Sequence, residues 1–389
     1  MTLGFSGMSG GKDCLAAVFI QTMPPSQDMN AIPDIIYSEI DEQEIISFAR
    51  FMELALYAPG SGYYETPRQI GRAGDFYTNI SAGPLFGELL GFQFAEWLEE
   101  GQGKHIVEAG AHDGQLASDI IGYLKQHRPQ LAGKIKYWII EPSEKRREWQ
   151  REKLVGFGRQ VKWKTGLNKI KEGAVKGVIF GNELVDAFPV HRLGWDKQQQ
   201  EWFEWGVVIS GDKFGWERME SPDIKALRNG TFQVPRELRK HLPDGFVTVC
   251  SPVAAEWWHD AADRLGNGRF LAIDYGLEAE EFFFPERVDG TLRSFSRHHP
   301  TDDLLANPGH QDITASVNFT VLKIMGELAG LSSTPRVTQE KFLMRIFEQT
   351  LKRSELFPEW TAERRRQFQT LTHPDHLGRP FQVMVQSRV

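Results

Sequence analysis

Three apolar runs in this chain each stop at an acidic or amide residue, and that shared ending constrains the fold more than any other feature. The runs lie in His105–Ile121, Lys136–Trp149 and Gly177–Val190. Each starts as a short buried strand and passes into a polar loop. The first two then continue with helical periodicity. Strands that alternate with helices build a mostly parallel α/β sheet. In such a sheet the strand carboxyl ends line one crevice, and ligands bind there. Glu108, Glu141, Asn182 and Glu183 are therefore predicted to converge on one site.

At 389 residues the chain is long enough for two lobes. Its net charge of −7 leaves no broad basic field, which argues against nucleic acid as a partner. No apolar run reaches membrane-spanning length, so no membrane insertion is expected. Neither Cys14 nor Cys250 sits in a CxxC or Cys/His cluster, and no metal site is expected. His298, His299, His310 and Asp312 lack a ligand spacing. Residues 1–30 hold one Lys, two Asp and no Arg, unlike an Arg-rich transit peptide, so cytoplasmic residence is expected. Ser9–Cys14 (SGGKDC) imitates a phosphate loop, but no strand precedes it and Pro24–Pro25 breaks the apolar stretch after it. A flexible tail over residues 1–35 is the reading adopted.

Beyond the tail, the pattern predicts a helix over Ser38–Tyr57, capped by Ser38 and stopped at Pro59–Gly60. A loop rich in Gly and Tyr comes next, then a buried helix over Pro84–Glu100. Residues 36–100 thus form a helical cap with a lid loop, and 101–389 the core. Strands are expected at His105–Ala109, Lys136–Glu141, Val161–Trp163, Gly177–Asn182, Arg269–Gly276 and Phe381–Val389. Helices are expected at Gln115–His127, Ser143–Val155, Ala254–Leu265, Phe319–Ala329 and Gln339–Lys352. Alternation over Val190–Trp216 marks an inserted β-rich lobe, at about 190–250 and 280–320.

The turn Gly110–Ala111–His112–Asp113–Gly114 decides between cofactors. Dinucleotide sites place a pyrophosphate on the helix N-terminus. Here bulky His112 would crowd it and Asp113 would repel it. S-adenosylmethionine (SAM) carries a sulfonium cation and no phosphate, so Glu108, Asp113 and the loop backbone suit it. Glu141 stands where a carboxylate can accept both ribose hydroxyls. The competing reading, an acid at the start of the helix opened by Pro142 and Ser143, is compatible with that role.

Asn182, Glu183 and Asp186 lie at the end of the fourth strand, where a methyl acceptor should face the sulfonium. Two carboxylates three positions apart can grip a planar, always-charged guanidinium. The alternative is capping by Asn182 and a solvated Asp186.

The chain resembles the MidA-like family, which includes a mitochondrial complex I assembly factor that methylates arginine. The resemblance runs from about Ile40 to the C-terminus. It is carried by Phe51–Tyr64, Gly74–Glu88 (GDFYTNISAGPLFGE), Glu108–Leu116 (EAGAHDGQL), Glu141–Ser143 (EPS), Asn182–Val190 (NELVDAFPV), Ile273–Gly276, Gly290–His299 and Pro308–Phe319. It implies a Rossmann-like class I SAM-methyltransferase core of seven strands with an added lobe. It also implies that Gly74, Asp75 and Thr78 close over the cofactor, and that a respiratory-complex subunit is the acceptor protein. Where the family commonly has E-L-G-P-G-R-G, this chain has Ala111, His112 and Asp113. Where the family tends to show His and Asp, it has Ser316 and Asn318.

The expected function is SAM-dependent methylation of a protein arginine. A SAM-binding assembly chaperone and a small-molecule methyltransferase are the alternatives. The sequence leaves the acceptor, the degree of methylation and the oligomeric state open.

Overall fold

A computed structural model of the chain describes residues 32–66, 78–219, 234, 236–296, 299–301 and 303–389. The expected tail through residue 31, the SGGKDC segment, Gly74, Asp75 and His298 lie outside these residues.

Among the described residues the main sheet has nine strands, seven along one path and two, Val317–Asn318 and Val337–Thr338, pairing off it. In spatial order the seven are Ser332–Ser333, Phe381–Arg388, Leu265–Leu277, Val175–Asn182, His105–Ala109, Lys136–Ile140 and Val161–Lys164. The last five pair in parallel, while Phe381–Arg388 runs antiparallel to its neighbours. From the Glu108 strand the chain winds outward through two strands. It then returns to the other side to lay down the Asn182 strand, directly beside Glu108, with His105 opposite Gly177. That reversal is a topological switch point, and the crevice opens at its carboxyl edge.

Helices cover both faces. On one, Leu85–Glu100, Gln115–His127 and Gln339–Lys352 bury Phe86, Phe94, Ile120 and Leu343 against Tyr137, Phe180 and Ile273. On the other, Pro252–Arg264 and Phe319–Leu328 pack Trp258 and Leu322 on Ile179 and Phe270. Trp258 stacks on Phe270 with ring centroids 3.8 Å apart.

The helix expected over Ser38–Tyr57 is two helices, Ile32–Gln43 and Phe48–Tyr57. Glu44 turns into the left-handed region (φ 67°), and Ile46–Ser47 pairs with Val207 and Gly206. Ser47, not Ser38, caps the second helix, accepting the Arg50 N–H. Through Ile46 the N-terminal helices join a five-stranded antiparallel sheet made of Ile46–Ser47, His191–Asp196, Glu201–Ser210, Lys213–Arg218 and Val247–Cys250. Their side chains share one core, with Ile36, Phe51 and Leu56 among Leu193, Trp195 and Phe246. A three-stranded sheet of Leu292–Ser296, His299–Thr301 and Asp312–Ala315 completes the lobe. Among the described residues no helix is long and apolar enough to cross a membrane.

Candidate active site

A cleft of about 500 Å³ lies at the switch point. Ala109, Gly110 and His112 line it from the first strand and its turn, and Ile140, Glu141 and Pro142 from the second. Glu183, Leu184, Ala187 and Phe188, just past the fourth strand, form the facing wall. Tyr57, Tyr64 and Glu65 reach in from the cap, and Trp257 from the helix below.

The cofactor turn is built by backbone shape. Gly110 (φ 76°) and Gly114 (φ 89°) take left-handed conformations natural to glycine. His112, where the family commonly has glycine, adopts φ 44°, so the turn keeps its path at the cost of strain in a non-glycine residue. The His112 carbonyl accepts the Gln150 side-chain amide at 2.9 Å, which ties the turn to the next helix. His112 Nδ1 is buried without a hydrogen-bond partner and faces Asp113 Oδ1 at 4.0 Å. Ala111 is buried at the turn. Asp113 does not line the cleft; it accepts the Gln115 N–H and pairs with Lys153 at 3.3 Å.

Glu141 is 1% exposed and held on several sides. Oε1 accepts the Ser143 N–H at 3.0 Å and lies 2.9 Å from Arg146 Nη2, while Oε2 accepts Gln150 Nε2 at 3.1 Å. Burial pushes this carboxyl up, and Arg146 and the hydrogen bonds oppose the rise. Ser143 also caps the helix Glu144–Lys153 and donates its hydroxyl to Glu65 at 3.0 Å. Glu65 thereby docks the cap onto this half of the cleft.

Glu108 faces elsewhere. Successive strand residues point to opposite faces, so Ala109 lines the cleft and Glu108 turns towards the Leu85–Glu100 layer. There it is 2% exposed and accepts the Tyr137 hydroxyl at 2.6 Å, with burial pushing it up to about 8. The structure brings Glu141 and Glu183 to the cleft wall and leaves Glu108 off it.

The wall opposite Glu141 rests on buried polar residues from separate parts of the chain. Glu183 takes a left-handed backbone (φ 50°). Its Oε1 accepts the Asn79 backbone N–H and the Asn182 amide, both at 3.0 Å. Asn79, fully buried, also donates to Asn182 Oδ1 at 3.0 Å and accepts from Gln339 at 2.7 Å. Thr78, next to it, exchanges hydrogen bonds with Ser81 and does not line the cleft. Asp274, at the end of the neighbouring strand, accepts the N–H groups of Leu184, Val185 and Asp186 through one oxygen. This capping shapes the turn that presents Glu183. Asp186 is 7% exposed, not solvated, and its carboxyl rises well above the usual range through burial and the nearby Asp274 and Asp312. Burial likewise lifts Glu183 to about 7. Tyr57 and Tyr64 stack at 5.5 Å, with their hydroxyls on the Ala187 carbonyl and Asp312.

These residues fit SAM. The glycine turn lets a ligand approach the backbone, Glu141 places a buried carboxyl on one wall, and Glu183 places another on the wall opposite. Among the described residues no group of three or more His, Cys, Asp or Glu side chains is arranged to hold a metal.

Comparison with known proteins gives the same chemistry. A family described as "Putative S-adenosyl-L-methionine-dependent methyltransferase" matches residues 89–336, more than half of the chain. The mitochondrial protein arginine methyltransferase NDUFAF7 of Xenopus tropicalis is 30% identical over 346 residues, covering 82% of this chain and 76% of the relative. Its Homo sapiens counterpart is 29% identical over 327 residues, covering 77% and 69%. A solved structure from Burkholderia thailandensis, described as a likely methyl transferase bound to S-adenosyl-homocysteine, has a TM-score of 0.77 at 28% identity, covering 94% and 95%. Cytoplasmic residence, expected from the N-terminal composition, is overturned by the mitochondrial names of these relatives. With a glycine turn at the switch point and the family match in agreement, the chain belongs to the S-adenosylmethionine-dependent methyltransferases.

Proposed function

We propose that this enzyme methylates an arginine of a protein substrate, with Glu183 holding the guanidinium. The observation that carries the proposal is the buried carboxyl of Glu183 facing the cleft, with Asp274 and Asp312 near enough to act on it and Asp186 buried on the same turn. A planar cation with several N–H donors is the natural partner of such a carboxyl. The arginine methyltransferase names of the relatives support the same class.

SAM, when bound, supplies a methyl group on positively charged sulfur. Gly110, Ala111, His112, Asp113 and Gly114 shape its turn, Glu141 takes the ribose hydroxyls, and Pro142 and Ser143 fix that carboxylate. Glu183 accepts guanidinium N–H bonds and aims one nitrogen across the cleft, a positioning effect. Asn79 and Asn182 fix Glu183, and Asp186 lies buried behind it on the same turn. The proton displaced from the methylated nitrogen passes to solvent.

The relatives' names carry the further proposal that the enzyme works in mitochondria, and the family resemblance that its acceptor is a respiratory-complex subunit. The test is mass spectrometry of arginine methylation in those complexes, from cells with the enzyme and with a Glu183→Gln variant. Methylation that survives unchanged in the variant refutes the role given to Glu183. Absence of any methylated arginine dependent on the enzyme refutes the function.

A further inference from the structure

The segment that carries Glu183 and Asp186 has a second side. Leu184, Ala187 and Phe188 line the cleft, whereas Val185 and Val190 line a separate cavity of about 280 Å³. Ala254 and Ala255, in the first turn of the Pro252–Arg264 helix, form another wall. Phe282 and Phe283 close it from the lobe, and the start of the Phe319–Leu328 helix completes it. Trp257 of the Pro252–Arg264 helix lines the cleft, so the two hollows flank that helix near its start.

The lining fixes the chemistry of an occupant. It contains no charged side chain, so an ion entering it would be desolvated without a counter-charge. Most of the lining is apolar, with a few polar groups, Thr248 and Ser316 among them. Thr248 is 1% exposed, lines the cavity, and its hydroxyl has no hydrogen-bond partner. Buried hydroxyls are normally satisfied, so an occupant that brings one polar atom alongside an apolar body meets both needs.

The surroundings decide between a metabolite and a polypeptide. Ile324 lines the cavity and is 38% exposed, and Leu328, one turn along the same helix face, is 57% exposed. Phe284, next to Phe283, is 48% exposed. A small molecule would fill the hollow and leave these three in water. A polypeptide places a side chain in the hollow and covers the apolar surface beside it.

We propose that this cavity receives an apolar side chain of the protein substrate, near the methylated arginine, and so selects which arginine is modified. The proposal rests on the reading that the enzyme methylates protein arginine. Ser316, half-buried and among the lining residues, belongs to the substrate-selecting wall in place of the histidine that the family tends to show.

The test uses the full chain with SAM and polar peptides that carry one arginine, with a single leucine walked along the sequence. One leucine offset should raise kcat/KM about tenfold, through KM, as a filled hydrophobic pocket does. Ser316→Trp, which plugs the hollow, should erase that gain and leave S-adenosylhomocysteine binding unchanged. Methyl resonances of Val185, Val190, Val321 and Ile324 give a readout independent of turnover. They should shift with the favoured peptide in the wild type and not in Ser316→Trp. Methylation with no preferred offset and no methyl shifts overturns the cavity's role and leaves the arginine reading standing. Methyl shifts without any methylation uphold the cavity as a peptide site and sink the arginine reading.

Discussion

Arg146 Nη2 stands 2.9 Å from Oε1 of Glu141, inside the cleft and at the carboxylate assigned to the ribose. The pairing opposes the burial that pushes the Glu141 carboxyl up. Arg146→Met should weaken S-adenosylhomocysteine binding about tenfold near neutral pH. Without the cation the Glu141 carboxyl rises further, so binding should recover as pH is raised. Calorimetric titration at several pH values checks this; a loss that does not vary with pH would assign Arg146 a purely steric role.

The Glu183 carboxyl gives activity and stability opposite pH slopes. Burial lifts it from an ordinary 4.5 to about 7, against the lowering effect of the Asn79 N–H and the Asn182 amide. A carboxyl raised in the folded state binds its proton more tightly there than in the unfolded chain. Its stabilising contribution is full below the unfolded pKa and is lost as pH rises through the folded one. Holding a guanidinium needs the ionised form. Methyl transfer should therefore climb with pH through about 7 while thermal stability declines over the same window. Glu183→Gln should cost on the order of a hundredfold in kcat, keep cofactor binding, and remove the rising limb. The stability slope should shrink only in part, because burial lifts Asp274 to about 7 as well.

Asp274 shapes the acceptor turn by taking three backbone N–H groups on one oxygen. Asp274→Ala leaves those donors buried and unpaired, and should destabilise the fold by about 3 kcal/mol in urea titration. A loss below about 1 kcal/mol would show that the turn holds its shape without the carboxylate.

His112→Gly restores a residue suited to φ 44°. Relief of left-handed strain, partly offset by glycine's greater unfolded-state freedom, should stabilise the protein by about 0.5–1 kcal/mol. S-adenosylhomocysteine affinity should stay within about threefold if the turn serves through its backbone. A larger loss would assign the cofactor contact to the imidazole.

The core strands and helices were legible because each carries its own local evidence. Gln115–His127 begins at Gly114 and Gln339–Lys352 has an amphipathic stripe, and both run as the periodicity predicts. Features set by distant partners were not legible. The break at Glu44 exists because Ile46 pairs with Val207. Asn79 sits in a polar loop with no distinguishing pattern, and its place in the site depends on Gln339, 260 residues away. Glu141 and Glu183 could be assigned to the crevice because they come directly after strand ends. Glu108 lies one residue short of its strand's end, and the two-residue period turns it to the opposite face.

The pairing of Ile46 with Val207 also bears on how the protein is made. The cap helices leave a ribosome before the strands their apolar faces fit against, with four core strands in between. Until Glu201–Ser210 appears, Ile36, Phe51 and Leu56 have no permanent cover. The nascent cap helices must therefore be shielded or kept from sticking while the core forms, and deleting Ile32–Ser47 would expose the apolar face of the lobe.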